Sequence, residues 1–215
     1  MPRRALIEKR PWLLASIAAA IAFYVLRDGA MPGAYQMLLK GAACAFLAVW
    51  AIVRHGGRDT QMLAGIMGIS ALADMAIEIT TVAGAALFLL AHVIAIALYL
   101  RHRRDRLTGS QKAASLALLV LTPLAGWLLS GDPLVPVYGL FLGGMAASAW
   151  SSSFPRYRVG VGALLFVASD MLIFAREGVL AESALPELLI WPLYYLGQLL
   201  IATGVIGTLR GRSLR

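Results

Sequence analysis

The chain has 215 residues, of which 60% are hydrophobic and 14% charged, and it carries a formal net charge of +8 with a mean hydropathy of +0.78. Long apolar runs separated by short polar breaks exclude an ordinary soluble domain and are typical of a multi-pass helical membrane protein. The basic residues lie in the breaks between the apolar runs, so they predict membrane topology and argue against nucleic-acid binding.

Eight apolar runs predict membrane-spanning helices, since a helix needs about 20 mostly apolar residues to cross the hydrocarbon core. In chain order the runs are 12–26, which is short, 34–53, 61–80, 82–100, 113–130, 134–151, 159–175 and 187–209. Glycine and proline mark the breaks, and no run shows the two-residue alternation of a strand. Because every backbone polar group in lipid needs an internal partner, we predict an all-α bundle of eight transmembrane helices, one integral membrane domain over residues 1–215.

The distribution of basic residues predicts the orientation of these helices. Of the 19 Lys and Arg residues, only Arg27 and Arg176 fall in the loops on one side, and Lys40 falls within a run. The positive-inside rule therefore places both termini in the cytoplasm, in what we expect to be a bacterial inner membrane. The first run contains the small residues Ala18–Ala20, which can mark the cleavage site of a secretion signal, but it continues to Leu26, so we predict a retained helix.

Ionisable side chains interrupt several of the predicted spans. A charge at the bilayer centre costs about 2.5–3.5 kcal/mol on insertion scales, so such residues are rarely incidental. With a helical rise of about 1.5 Å per residue, all of them fall in the outer half of the membrane. They are Lys40, Asp74, Glu78, His92 and Asp170. Together with Gln198 of the last span, they predict one polar cavity inside the bundle.

A weak internal repeat places the two aspartates in corresponding helices. Ala73-Asp74-Met75 lies in the third span and Ser169-Asp170-Met171 in the seventh. The next span in each case carries a polar residue, His92 or Gln198. This pattern predicts two parallel four-helix halves, with chance similarity as the alternative.

Two carboxyl groups approaching across such a cavity can divide acid and base roles. Ser70, Asp74 and Glu78 follow one another at helical spacing, and so do Tyr194 and Gln198. In a site of low dielectric, one of two neighbouring carboxyl groups favours the protonated form. That group can act as a general acid, while the other stays ionised as a base or stabilises a cation.

Structural explanations stand beside each of these candidates. Asp74 can pair with Lys40, Glu78 can simply be wetted at the helix end, and His92 can be a hydrogen-bonded core residue. Tyr194 and Tyr195 can be aromatic residues of the membrane interface. The single cysteine, Cys44, lies in an apolar run and is expected to be a small core residue. No spacing calls for a metal ion, and we predict neither a metal site nor a cofactor.

Four short motifs, in order along the chain, resemble the YhhN family of lysoplasmalogenases. They are Ala73-Asp74, Phe88–His92, Gly162–Asp170 and Tyr194–Gln198. The family has glycine or serine where this chain has Ala73, and often tyrosine where it has Ile94, so a hydroxyl role at position 94 is in doubt. The resemblance spans most of the chain.

The resemblance implies hydrolysis of the vinyl ether bond of a lysoplasmalogen, which gives a fatty aldehyde and glycerophosphoethanolamine or glycerophosphocholine. Under this hypothesis Asp74, Asp170 and His92 form the catalytic set, the aspartates as the acid/base pair and the histidine as an orienting group. The substrate-binding residues would be Lys40, Glu78, Tyr194, Tyr195 and Gln198. The partners would be the lysophospholipid substrate and the membrane lipids.

Two other classes of protein compete with this hypothesis. A proton-coupled transporter or lipid flippase can use the same buried carboxyl groups as a proton relay. The small chain, and the absence of a span pair clearly broken at mid-membrane, argue against transport. A membrane scaffold without catalytic activity is the third alternative, which the number of buried ionisable groups disfavours.

Overall fold

The computed structural model describes residues 10–30 and 32–213 of the chain. Within these residues the chain forms eight α-helices, one short π-helix and no strand, which confirms the all-α prediction. The helices are α1 (Pro11–Leu26), α2 (Gly33–Arg54), α3 (Arg58–Ala76), α4 (Thr81–Arg101), α5 (Gly109–Ser130), α6 (Val135–Ser151), the π-helix (Arg156–Gly160), α7 (Val161–Arg176) and α8 (Leu185–Ser213). Of the basic residues that predict orientation, Arg3, Arg4, Lys9 and Arg215 lie outside the described residues.

The end of α3 differs from the sequence prediction. The apolar run predicts a helix to residue 80, but α3 ends at Ala76 and a turn follows. The hydroxyl of Thr80 accepts a hydrogen bond of 3.1 Å from the backbone N–H of Ala83, which caps the start of α4. Because a capping residue is not itself helical, the chain must leave α3 before Thr80. Glu78 therefore lies in the turn and does not continue the helical row of Ser70 and Asp74.

Among the residues that the structure describes, five helical segments are long and apolar enough to cross a membrane, and they indicate an integral membrane protein. They are Gly33–Arg54, Thr81–Arg101, Gly109–Ser130, Arg156–Arg176 and Leu185–Ser213. Helix α1 is apolar but shorter, α6 has 17 residues, and α3 carries Arg58, Asp59 and Asp74. The crossing of the membrane by these three helices, and hence the number eight and the two halves, stays a prediction.

One compact unit comprises Met1–Ile94 and Leu209–Arg215. In it α2 packs against α1 and α3. The two helices approach closely at Gly41, where a Cβ would lie 2.9 Å from the carbonyl oxygen of Ala71 and 2.7 Å from Cγ of Met75. Glycine is thus required for α2 to approach the segment of α3 that carries Asp74. Cys44 of α2 is fully buried, as its apolar context predicts.

The other compact unit comprises Ala95–Thr208. In it α5, α6 and α7 pack against one another. Helices α5 and α6 approach closely at Gly139, where a Cβ would lie 2.8 Å from Cα of Pro123. The π-helix leads directly into α7, and the N–H of Val161 donates to the carbonyl oxygen of Arg156, five residues earlier. The π-helix therefore sets the position at which α7 begins.

Candidate active site

Asp170 is the best-defined candidate for chemistry in the second unit. It lies on α7 and is only 5% exposed. The hydroxyl of Tyr138, on α6, donates a hydrogen bond of 2.7 Å to its Oδ2. The Tyr138 ring meets the edge of Phe174 at a centroid distance of 5.8 Å, which helps to hold the phenol in place. Oδ1 of Asp170 has no hydrogen-bond partner among the residues of 10–30 and 32–213.

Sequence reasoning missed Tyr138. The sequence feature that could have indicated it is its position: Tyr138 lies about one helical turn from the start of α6, at a depth in the membrane comparable to that of Asp170 near the end of α7. A rule that pairs hydroxyl groups with carboxyl groups at equal depth would have found it. It would also have offered many wrong pairs, because depth alone does not say which helices are neighbours.

Several residues of the recognised motifs serve packing. A Cβ on Gly162 of α7 would lie 2.7 Å from the carbonyl oxygen of Gly197 on α8, and a Cβ on Gly197 would lie 2.7 Å from that of Gly162. The two helices therefore touch through their backbones. Ser169 adds a hydrogen bond of 2.9 Å to the carbonyl oxygen of Ile190. These contacts hold α7 against α8 both before and after Phe166 in the chain. They therefore also position the segment that ends in Asp170.

The conspicuous aromatic residues of α8 form a buried group. Gln198 donates to the hydroxyl of Tyr194 at 3.4 Å, and the Tyr194 ring meets Phe166 at 5.1 Å, edge to face. Trp191 stacks on Tyr195 with centroids 6.1 Å apart. Tyr194, Tyr195 and Gln198 are all buried, which argues against the alternative that the tyrosines face the membrane interface.

The first unit carries the other catalytic candidates, Asp74 and His92. Asp74 lies on α3 and is 2% exposed, with buried Ser70 one turn before it. His92 lies on α4 and is also buried. Each of these three residues takes part in at least one interaction within the protein. Burial of an aspartate and a histidine in one membrane-embedded unit is costly, and proteins retain such groups mainly for function.

Lys40 is paired with Glu78. Its Nζ lies 2.5 Å from Oε1 of Glu78, and the two side chains are 16% and 40% exposed. The ammonium group also lies 5.5 Å from the centroid of the Phe23 ring. The ion pair that Lys40 forms in the structure is thus with Glu78, in place of the pairing with Asp74 considered as an alternative. A partly exposed cation and anion lie side by side.

An apolar groove of about 400 Å³ lies between α5 and α7 in the second unit. It is lined by α5 residues from Ala114 to Ala125, by Trp150 of α6, and by Leu164, Val167 and Met171 of α7. From Ala114 to Ala125 the helical rise gives a length of about 16 Å. Met171 follows Asp170 directly in the chain, so one end of the groove lies at the level of that carboxyl group.

The predicted site residues thus fall into two sets. The first unit contains Lys40, Asp74, Glu78 and His92, and the second contains Asp170, Tyr194, Tyr195 and Gln198. Direct pairs form between Lys40 and Glu78 and between Tyr194 and Gln198. Between residues 10 and 213, leaving out residue 31, no three His, Cys, Asp or Glu side chains cluster as metal ligands would.

Comparison with known proteins agrees with this reading of the motifs. The model of the YhhN family matches residues 35–205. Proteins named lysoplasmalogenase from Mycobacterium bovis and Mycobacterium tuberculosis are each 29% identical over 182 residues, covering 79% of this chain and 69% of theirs. No solved structure matches the chain. The match includes all four motifs and well over half of the sequence, so the chain belongs to the YhhN family.

Proposed function

We propose that this protein hydrolyses the vinyl ether bond of lysoplasmalogens and releases a fatty aldehyde and glycerophosphoethanolamine or glycerophosphocholine. The observation that carries the proposal is the buried carboxyl group of Asp170, hydrogen-bonded to Tyr138, in a member of the YhhN family. The lysoplasmalogenase name of the two mycobacterial relatives supports the substrate class.

The reaction needs an acid and a base. The acid protonates the β-carbon of the vinyl ether, and the electron pair of the double bond forms the new C–H bond, leaving an oxocarbenium ion. Water adds to the cationic carbon and gives its proton to a carboxylate. The resulting hemiacetal then breaks its C–O bond to the glycerol oxygen; the hemiacetal hydroxyl gives up its proton and becomes the aldehyde carbonyl, while the glycerol oxygen takes up a proton. The proton that the carboxylate took from water returns to the acid, so protons balance over the cycle and one water molecule is the only co-reactant.

Asp74 and Asp170 are proposed as the acid and the base of this cycle, with His92 as the orienting group. Both carboxyl groups are buried, and a site from which water is largely excluded strengthens the attraction between a carboxylate and the oxocarbenium ion. Tyr138 holds Oδ2 of Asp170 and leaves Oδ1 for water or substrate. Tyr194, Tyr195 and Gln198 are proposed to position the ether oxygen and the attacking water.

The shape and charge of two further features suit a single-chain phospholipid. The apolar groove between α5 and α7 matches the alkenyl chain, and its end at Met171 brings the first carbons of such a chain to the level of Asp170. The Lys40–Glu78 pair matches a zwitterionic headgroup, with the ammonium of Lys40 toward the phosphate and the carboxylate of Glu78 toward the amine.

The proposed arrangement in the membrane is a single eight-span domain with both termini in the cytoplasm. It is supported by the scarcity of basic residues in the loops that contain Arg27 and Arg176, and by the five long apolar segments. An even number of spans places both termini on the same side.

The test is aldehyde release by the purified protein from lysoplasmenylethanolamine and lysoplasmenylcholine in detergent. Asp74→Asn and Asp170→Asn are each expected to reduce the rate at least about 100-fold, the usual effect of losing a general acid or base. Asp132→Asn is the matched control, because Asp132 is exposed and accepts a backbone hydrogen bond from Leu134 that asparagine can also accept. No release from folded wild-type protein would contradict the proposal and favour transport. Release that survives both substitutions would keep the activity and overturn the mechanism.

A further inference from the structure

The loop between α4 and α5 forms an open basic cavity that the proposed hydrolysis does not use. The cavity has a volume of about 610 Å³ and is lined by residues 101–106 and by Ser153. Four of the six residues at positions 101–106 are arginine, and the fifth charged residue is Asp105. We propose that this arginine cavity binds a phosphate-bearing anion. The inference is independent of the reaction at the aspartates.

The loop is fastened in place by backbone bonds. Arg103 and Ser152 form an antiparallel bridge, and the backbone N–H of Arg104 donates to the carbonyl oxygen of Ser151 at 3.2 Å. The N–H of Ser153 donates to the carbonyl oxygen of His102 at 2.6 Å. The connection that follows α6 therefore forms one wall of the cavity and holds the loop against it.

Side chains strengthen the same junction. Nε of Arg104 donates to the carbonyl oxygen of Ser152 at 2.6 Å, and its Nη2 donates to that of Phe154 at 3.3 Å. The His102 ring packs on Phe154 at a centroid distance of 4.8 Å, and Phe154 is fully buried. Arg104 is thus a structural residue, and the loop around it has a fixed shape.

Other arginines of the loop are available to a ligand. Arg103 and Arg106 are exposed, and their guanidinium groups make no hydrogen bond or ion pair with the residues the structure describes. Asp105 likewise forms no ion pair there, so it does not neutralise them. A guanidinium group offers a planar set of donors that matches two oxygens of a phosphate. The guanidinium groups of Arg103 and Arg106, on a loop of fixed shape, can both donate hydrogen bonds to one phosphate.

Membrane topology alone does not explain why the arginines of this cavity lie on a loop of fixed shape. The positive-inside rule requires basic residues near the membrane, but it does not require a fixed geometry. Arg158 satisfies the rule as an exposed residue of the π-helix, outside the cavity. The phosphate can come from the headgroup of an anionic phospholipid, which basic pockets at the membrane surface bind, or from a soluble phosphate compound.

The test compares the thermal stability of the full-length protein with and without each source of phosphate. In one arm, nanodiscs of phosphatidylcholine alone are compared with nanodiscs that also contain phosphatidylglycerol. In the other, phosphatidylcholine nanodiscs receive inorganic phosphate or chloride at equal ionic strength. A ligand that binds only the folded state raises Tm, and we expect a rise of about 3 °C in one arm or both. A rise with phosphatidylglycerol alone assigns the site to lipid, and a rise with inorganic phosphate assigns it to a soluble ligand.

The double variant Arg103→Gln/Arg106→Gln is expected to lose the rise, and Arg103→Lys/Arg106→Lys to retain part of it. Arg158→Gln removes an exposed arginine elsewhere and is expected to keep the full rise. Arg104 is left intact because its removal would open the loop. The proposal is overturned if the wild type shows no rise in either arm, or if Arg158→Gln loses as much of the rise as the double variant does.

Discussion

Tyr138 and Asp170 are joined by a hydrogen bond of 2.7 Å from the tyrosine hydroxyl to Oδ2, which links α6 to α7 at a buried carboxyl group. The bond restricts rotation of the carboxyl group, since one of its oxygens is held by a donor on the neighbouring helix. The phenol is itself held by the edge-to-face contact with Phe174. Tyr138 is therefore proposed as a positioning residue for Asp170.

Substitution of Tyr138 by phenylalanine tests that role. The ring and its contact with Phe174 stay, and only the hydroxyl is lost. A hydrogen bond to a charged group is worth about 1.5–3 kcal/mol, so kcat for aldehyde release is expected to fall about tenfold or more. KM is expected to change little, because the substitution removes no group that is proposed to contact the alkenyl chain or the headgroup. Tyr157→Phe, at an exposed position of the π-helix, is the control, and an equal loss of kcat in both variants would contradict the role of Tyr138.

The contact between Gly162 and Gly197 predicts a large effect of a single methyl group. A Cβ at Gly197 would lie 2.7 Å from the carbonyl oxygen of Gly162, so α7 and α8 would have to separate. Overpacking of this kind costs about 1–3 kcal/mol, and Gly197→Ala is expected to lower Tm and activity together. Gly207→Ala on the same helix is the matched control, because no atom lies within 4 Å of its Cβ. Alanine there is expected to raise stability slightly through helix propensity. Equal Tm values for the two variants would mean that α7 and α8 are not in backbone contact.

The Lys40–Glu78 pair is expected to affect substrate binding more than stability. Both side chains are partly exposed, and such pairs contribute about 0.2–1 kcal/mol to folding. Lys40→Gln and Glu78→Gln are each expected to raise KM about threefold to tenfold for a zwitterionic lysolipid, with kcat nearly unchanged. Steady-state kinetics measures this division. Asp28→Asn, which breaks an exposed ion pair with Arg27, serves as the control and is expected to leave KM unchanged. A fall in kcat at constant KM would place Lys40 and Glu78 in the chemistry instead.

Although the crossing of the membrane by all eight helices stays a prediction, hydropathy correctly predicted a helix for each apolar run, because the backbone polar groups of such a run need internal partners in lipid. It did not predict the end of α3. Ile77, Ile79 and Thr80 continue the apolar run, but the hydroxyl of Thr80 is engaged as the cap of α4. A hydropathy average contains no information about which hydroxyl accepts a backbone hydrogen bond.

The sequence was enough to identify single candidate residues of the site, but it did not identify which residues pair with one another. Asp74, His92 and Asp170 are conspicuous because ionisable groups are rare in apolar helices. The bond from Tyr138 and the pairing of Lys40 with Glu78 depend on which helix faces lie together. Gly162 and Gly197 show the same limit. In the sequence they are glycines of recognised motifs that weaken helices. The structure shows that glycine is needed at both positions because the backbone of the neighbouring helix lies too close for a Cβ.

The π-helix at Arg156–Gly160 has a consequence for the angular register of α7. A segment in which the N–H of Val161 reaches back five residues to Arg156 accommodates one more residue per turn than an α-helix does. Each residue of an α-helix turns the chain by about 100°, so the extra residue sets the direction in which every later side chain of α7 points. A one-residue deletion in this segment would leave the composition of α7 intact and rotate Asp170 away from Tyr138. In relatives that share the aspartate, insertions and deletions are therefore expected in other parts of the chain rather than in the π-helix.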